Sequence, residues 1–286
     1  MINKKDTLIS CLPVSLFQQF FDRKMDIVQW SEYAADLGMD AIDLNRRCLL
    51  DMTVPQVEDA AKRLALPVMM VTTYSDFTDP DPEELHGVIS AAKEDIVLAA
   101  ALNAKYIRLT TGQAYPDQKD EEALARIRQC FEACIPVAES AGVRLLLENH
   151  SKPGAWQYPD YDFHLERMLK LWEALKDLPI GINFDTANAY ALKDWRSLVG
   201  AFGNRIETVH MNDLESISPL KFSCVGEGIV PQTDILREVY RQGFAGPICI
   251  EEASMQGTDG IAKAFSHTKA ILRQLAGPMT GIHART

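Results

Sequence analysis

The chain has 286 residues, 47% of them hydrophobic and 24% charged, an ordinary globular balance that excludes a disordered chain and a coiled coil. Its 29 basic and 40 acidic side chains give a net charge of −11, which repels polyanions and disfavours nucleic acid as a partner. No apolar run approaches the roughly 18 residues of a membrane span, so no membrane partner is expected.

The opening segment Met1–Asp6 carries two lysines, and the apolar stretch after it is short and broken by Pro13, which argues against a signal peptide. The first strand is expected over Leu8–Val14, followed by a helix around Asp26–Leu37 that Gly38 ends. Ala41–Asn45 reads as the second strand, with a helix over Val54–Leu66. Pro67–Tyr74 is the third, then a long helix over Glu83–Leu102. Tyr106–Thr111 is the fourth, followed by a helix over Glu121–Ala141 that Gly142 closes. Arg144–Asn149 is the fifth, with a helix over Leu165–Leu175, and Ile180–Asp185 is the sixth, with a helix over Trp195–Phe202. Ile206–Met211 is the seventh, then Thr233–Arg241; Pro247–Glu251 is the eighth, and Ile261–Leu275 forms the last helix.

Eight strand–helix units, with strands rich in Val, Ile and Leu, predict an α/β fold with a parallel sheet covered by helices. The count and length match a single-domain (β/α)8 TIM barrel over residues 1–286, with its core at about 8–275. The open doubly wound sheet would need a glycine-rich phosphate turn after the first strand, where Leu12-Pro13-Val14-Ser15-Leu16 has no glycine. Six scattered cysteines, Cys11, Cys48, Cys130, Cys134, Cys224 and Cys249, form no C-x-x-C pair and read as buried or half-buried thiols of a cytoplasmic protein. Cys130 and Cys134 lie one helical turn apart, but no partner cluster with zinc spacing accompanies them.

In such a barrel the active site lies where strands end and βα loops begin. Strands five to eight end in Leu147-Glu148-Asn149-His150, Phe184-Asp185-Thr186, Val209-His210-Met211 and Ile250-Glu251-Glu252. Four neighbouring strands therefore each deliver a carboxylate or imidazole to one half of the mouth. Three converging carboxylates repel and raise one another's pKa. A divalent cation removes the conflict, and oxygen donors with one imidazole suit Mn²⁺, Co²⁺, Mg²⁺ or Zn²⁺.

This series resembles the xylose-isomerase-like barrel superfamily of sugar isomerases and epimerases, which also contains endonuclease IV. The resemblance rests on Glu148 in L-L-L-E-N-H, Asp185 in I-N-F-D-T-A-N, His210 in V-H-M-N-D and Glu251 in I-C-I-E-E, and it spans Leu8 to about Leu275. It implies one divalent metal held by Glu148, Asp185, His210 and Glu251, and catalysis by Glu148 and Glu251 on opposite faces of a substrate carbon. The implied substrate is a small keto sugar or sugar acid, isomerised or epimerised through an enediolate. Dehydration or decarboxylation shares that intermediate, so a lyase is the alternative.

His150, two residues after Glu148, is a candidate proton relay or substrate contact, and is counted with the catalytic set. Arg108, within strand four, either grips an anionic or hydroxylated substrate or pairs with an acid such as Glu148. Gln113, Asn188 and Trp156 are further substrate contacts, and Trp156 either covers a sugar face as part of a lid or packs on its own barrel. Gly226-Glu227-Gly228 resembles the family's G-x-G turn and adds Glu227 to the substrate contacts.

Two departures from the family pattern bear on substrate. Asn188 stands where many relatives have histidine, and His210-Met211-Asn212-Asp213 lacks the lysine of H-x-K-D. The nuclease reading needs further histidines; His86, His164 and His267 fall on the predicted outer helices and His283 in the tail. A binding barrel without catalysis is the third class, and a homo-oligomer is compatible with all of them.

Overall fold

The computed structural model describes residues 7–151 and 156–276. The expectations placed on Met1–Asp6 and His283 lie outside the described residues. Eight parallel strands form the barrel: β1 (Ile9–Leu12), β2 (Ile42–Asn45), β3 (Val68–Thr72), β4 (Tyr106–Leu109), β5 (Arg144–Glu148), β6 (Gly181–Asp185), β7 (Ile206–Met211) and, after a hairpin, β10 (Ile248–Glu251). The hairpin comprises β8 (Asp213–Ile217) and β9 (Leu220–Ser223), which pair antiparallel outside the barrel wall. The pairing order is β1-β10-β7-β6-β5-β4-β3-β2. A backbone hydrogen bond from Asp40 N to Ile9 O at 2.9 Å joins the remaining seam between β1 and β2. The expected strands are all present; Ile206–Met211 keeps its full length and the other seven are shorter by one to three residues, where the chain turns into loops.

Local sequence explains where the helices stop and start. Asp26 and Gln29 cap the helix Ile27–Leu37 reciprocally, and Gly38 closes it at φ +83°. Three acidic residues, Asp120, Glu121 and Glu122, occupy the first turn of the helix Asp120–Ala141, complementing the dipole there. Among the described residues the short helices Phe17–Phe21 and Thr186–Ala191, the 3-10 turns Val14–Leu16, Arg46–Leu49 and Gly203–Arg205, and the β8–β9 hairpin have no counterpart in the expected series.

The strands alternate. In β6, Ile182 and Phe184 join the main core between sheet and helices, while Asn183 and Asp185 turn into the bore. The same holds for β7, where Val209 and Met211 point out and Thr208 and His210 are buried polar residues. The outward rows pack against Phe202, Trp172 and their neighbours. Each such fully buried large side chain contributes about 1.5–3 kcal/mol. The lower bore is plugged by a separate apolar cluster of Ala41, Met69, Met70, Tyr106 and Leu146. Tyr106 and Leu146 lie two residues before Arg108 and Glu148 on the same strand faces, so polar side chains begin directly above this plug.

Candidate metal centre

Glu148, Asp185, His210 and Glu251 meet at the top of the bore, all buried, each offering a ligand atom within 4.8 Å of the others. His210 Nδ1 lies 3.1 Å from Glu251 Oε2 and 3.7 Å from Glu148 Oε2. Neighbouring residues hold the carboxylates in place before any ion arrives. Arg108 Nε sits 2.8 Å from Glu148 Oε2, and Asn183 Nδ2 donates to the same oxygen at 2.9 Å. Thr208 Oγ1 donates to Asn183 Oδ1 at 2.7 Å, which fixes the orientation of that amide. Asp185 caps the helix Thr186–Ala191, its Oδ1 accepting from Asn188 N at 2.6 Å. Asn149 ties β5 to β6 by donating to Asp185 O at 2.9 Å and accepting from Asp185 N at 3.0 Å. Two oxygens remain: Glu148 Oε1 and Asp185 Oδ2 are buried without a hydrogen-bond partner.

The electrostatics show why this arrangement fits a cation. Burial pushes the Glu148 carboxyl up, but Arg108 and His210 outweigh it and hold the group well below the usual carboxylate range. Asp185 goes the other way: burial, then the charges of Glu251 and Glu148, raise it far above its ordinary value. Burial lowers the His210 imidazole, but its neighbours, Glu148 among them, raise it well above its usual value. Without an ion, the convergence of acids is relieved by protons held on Asp185 and His210. Buried, partnerless oxygens and protons that a cation can displace are what a divalent ion satisfies.

Beside the three acids and the imidazole lies a second polar patch. His150 Nδ1 is 2.5 Å from Asp160 Oδ1, and Trp156 Nε1 donates to the same oxygen at 2.9 Å. Tyr74 stands between them and the centre, its ring 5.7 Å from that of His150, 5.8 Å from that of Trp156 and 5.6 Å from the Arg108 guanidinium. Asp162 accepts from Thr111 Oγ1 at 2.8 Å and from His150 N at 3.1 Å. Burial, then the Asp160 charge, pushes its carboxyl up to about 7.

Of the two readings of Arg108, the geometry carries the pairing one: the guanidinium is buried, paired with Glu148, and donates from Nη1 to Thr73 O at 2.7 Å. Gln113 is near Trp156 in the chain fold but engaged, donating to Asp76 Oδ2 at 2.5 Å and accepting from Gln157 N and Tyr158 N. Asn188 is buried beside Asp185, with its Oδ1 lacking a partner. Glu227 is not brought to this group. It is exposed, 3.4 Å from Lys263 and accepting from Gln256 at 2.9 Å. The cause is Asp213, whose carboxylate accepts from the N–H groups of Gly226, Gly228 and Val230 and winds the turn around itself, leaving Glu227 on the outside. Cys130 and Cys134 are buried thiols of one helix.

The sequence reading missed Asp43, Tyr74, Asp160, Asp162, Asn183 and Thr208. Asp43, Asn183 and Thr208 do carry a signal, since each is polar at alternate positions of an otherwise apolar strand.

Residues 31–273 match the xylose isomerase-like TIM barrel family. The chain belongs to this family. Among curated proteins, none matches the sequence. Solved structures of the same fold include the IOLI protein with a bound zinc atom, at 16% identity and TM-score 0.75, covering 93% of this chain and 98% of that one. D-psicose 3-epimerase with D-tagatose from Clostridium cellulolyticum H10 superposes at 12% identity and TM-score 0.73, covering 93% and 99%. The probable 3-DHS dehydratase AsbF from Bacillus anthracis does so at 18% identity and TM-score 0.69, covering 94% and 99%. Among the described residues no helix is long and apolar enough to cross a membrane.

Proposed function

We propose that this family member is a divalent-metal-dependent isomerase or epimerase of a small keto sugar or sugar acid, with Glu148, Asp185, His210 and Glu251 holding the ion. The observation that carries the reading is the pairing of two glutamates, Glu148 on β5 and Glu251 on β10, with the His210 imidazole between them. When bound, the ion supplies Lewis acidity that stabilises negative charge on a carbonyl oxygen as the neighbouring C–H proton leaves. One glutamate takes that proton and the other delivers a proton to the opposite face of the carbon. Arg108 and Asn183 hold Glu148 Oε2 in place and leave Oε1 without a hydrogen-bond partner. Tyr74, Trp156 and the His150–Asp160 pair form the adjoining wall, suited to the hydroxyls and apolar face of a sugar. The zinc of the IOLI protein and the D-tagatose of the epimerase structure support the metal and the substrate class.

The test is metal content by plasma mass spectrometry, followed by incorporation of solvent deuterium into a panel of keto sugars and sugar acids. About one equivalent of Mn, Co, Mg or Zn is expected in the wild type and none in Asp185→Ala. Deuterium uptake without loss of mass is expected, with Glu251→Gln losing turnover far more than metal. Release of water or CO₂ would assign a lyase instead. Three zinc equivalents would point to a nuclease, and a chain that binds no metal would be a binding barrel.

A further inference from the structure

Asp43 lies on β2, inside the bore and across it from β7. It is fully buried, and neither Oδ1 nor Oδ2 accepts a hydrogen bond. A carboxylate is rarely left so far from water without a partner, because the charge has then lost its hydration with nothing in exchange. The groups that face it are the far side of His210 and the Cys249 thiol: the ligand atoms of these three side chains lie within 4.8 Å of one another. Asp43 Oδ2 is 3.8 Å from His210 Nε2, and Nε2 has no hydrogen-bond partner of its own. The imidazole therefore spans the bore. Nδ1 faces the acids of the metal centre and Nε2 faces Asp43.

At 3.8 Å the contact is electrostatic and too long for a hydrogen bond. It still distinguishes the two ring nitrogens. A histidine can donate a lone pair from one nitrogen only while the proton sits on the other, and a carboxylate beside that other nitrogen keeps it there. The strands enforce the relation, since Asp43 and His210 are both inward positions of strands that cannot shift without moving the outer core.

We infer that Asp43 is the positioning residue of the metal centre, holding the His210 proton on Nε2 and thereby presenting the Nδ1 lone pair to an ion shared with Glu148, Asp185 and Glu251. This rests on the metal-centre reading above and deepens it.

The experiment measures Co²⁺ and Zn²⁺ affinity by competition with a chromophoric chelator, for the wild type, Asp43→Asn, Asp43→Ala and Asp185→Ala, alongside urea unfolding of each metal-free protein. Asp43→Asn preserves shape, so it decides the matter if Asp43→Ala fails to fold. The wild type and both Asp43 variants are expected to bind one equivalent, the variants 10- to 100-fold more weakly. The Co²⁺ absorption bands should shift in both. Metal-free Asp43→Asn should keep a urea resistance close to that of the wild type, because the amide preserves the shape and no hydrogen bond is lost. A purely structural role would lower urea resistance and leave affinity unchanged. Affinity within twofold of the wild type in Asp43→Asn, while Asp185→Ala binds nothing, would overturn the inference and leave the metal centre standing. So would a second bound ion lost with Asp43, which would make it a ligand. A wild type without affinity for either ion, or an Asp185→Ala variant that binds as tightly, would remove the metal-centre reading and this inference together.

Discussion

Arg108 is the cation on which the metal-free centre depends, and its removal gives the most direct measure of the electrostatics. Its Nε is 2.8 Å from Glu148 Oε2, with both side chains buried. Two unit charges at that distance attract by about 6 kcal/mol at an effective dielectric constant of about 20. Desolvation of both groups offsets much of this, so the pair adds little net stability over an apolar pair. Breaking it from one side is different, because the surviving charge keeps its desolvation and loses its partner. Arg108→Met strands Glu148 among Asp185 and Glu251 and takes the donor from Thr73 O. Glu148→Gln strands Arg108. Each single substitution is expected to cost about 3–5 kcal/mol, or about 6–20 °C in Tm for a chain of this size. The double variant should cost no more than either alone, giving a coupling energy of at least about 3 kcal/mol. The assay is urea unfolding of all four proteins in the presence of a chelator, so that no ion substitutes for the guanidinium. Single effects that add to within about 0.5 kcal/mol would refute the coupling on which the account of Glu148 rests.

Asp213→Ala removes the acceptor shared by Gly226, Gly228 and Val230 N–H, and should cost about 2–5 kcal/mol. It should also speed proteolysis within residues 224–230, with Asp213→Asn intermediate; equal cleavage rates would mean the turn holds without it. The Asp162 carboxyl, raised to about 7, keeps a proton that the unfolded chain releases near pH 4, so its contribution to stability falls as pH rises from about 4 to about 7 and then levels. Asp162→Asn should therefore gain on the wild type by up to about 3 kcal/mol between pH 5 and pH 8. Parallel urea midpoints across that range would show that Asp162 does not titrate there.

The barrel was legible because eight apolar runs, each followed by an amphipathic stretch of the right length, leave few alternatives. The four mouth residues were legible because they sit at strand ends, where apolar runs break into Glu148, Asp185, His210 and Glu251. Residues that support them from below were not. Asp43, Asn183 and Thr208 interrupt their strands at alternate positions, but that they face the bore becomes apparent only when the bore is seen to be polar above its plug. Asp160 and Tyr74 come from loops whose approach to His150 is set by tertiary packing, with no period or spacing to announce it. Glu227 shows the converse: a turn can follow a family pattern while its side chain serves only the surface.

The way the carboxylate oxygens are already committed has a consequence for ion size. Glu148 spends Oε2 on Arg108 and Asn183, and Asp185 spends Oδ1 on the helix that follows β6, so neither can clasp an ion with both oxygens. Calcium gathers six to eight oxygens at about 2.3–2.6 Å, usually by means of such two-handed carboxylates. If these side chains hold an ion as proposed, Glu148 and Asp185 each offer it one oxygen, which disfavours calcium against smaller ions. That preference would then be set by an arginine, an asparagine and a helix cap standing behind the carboxylates.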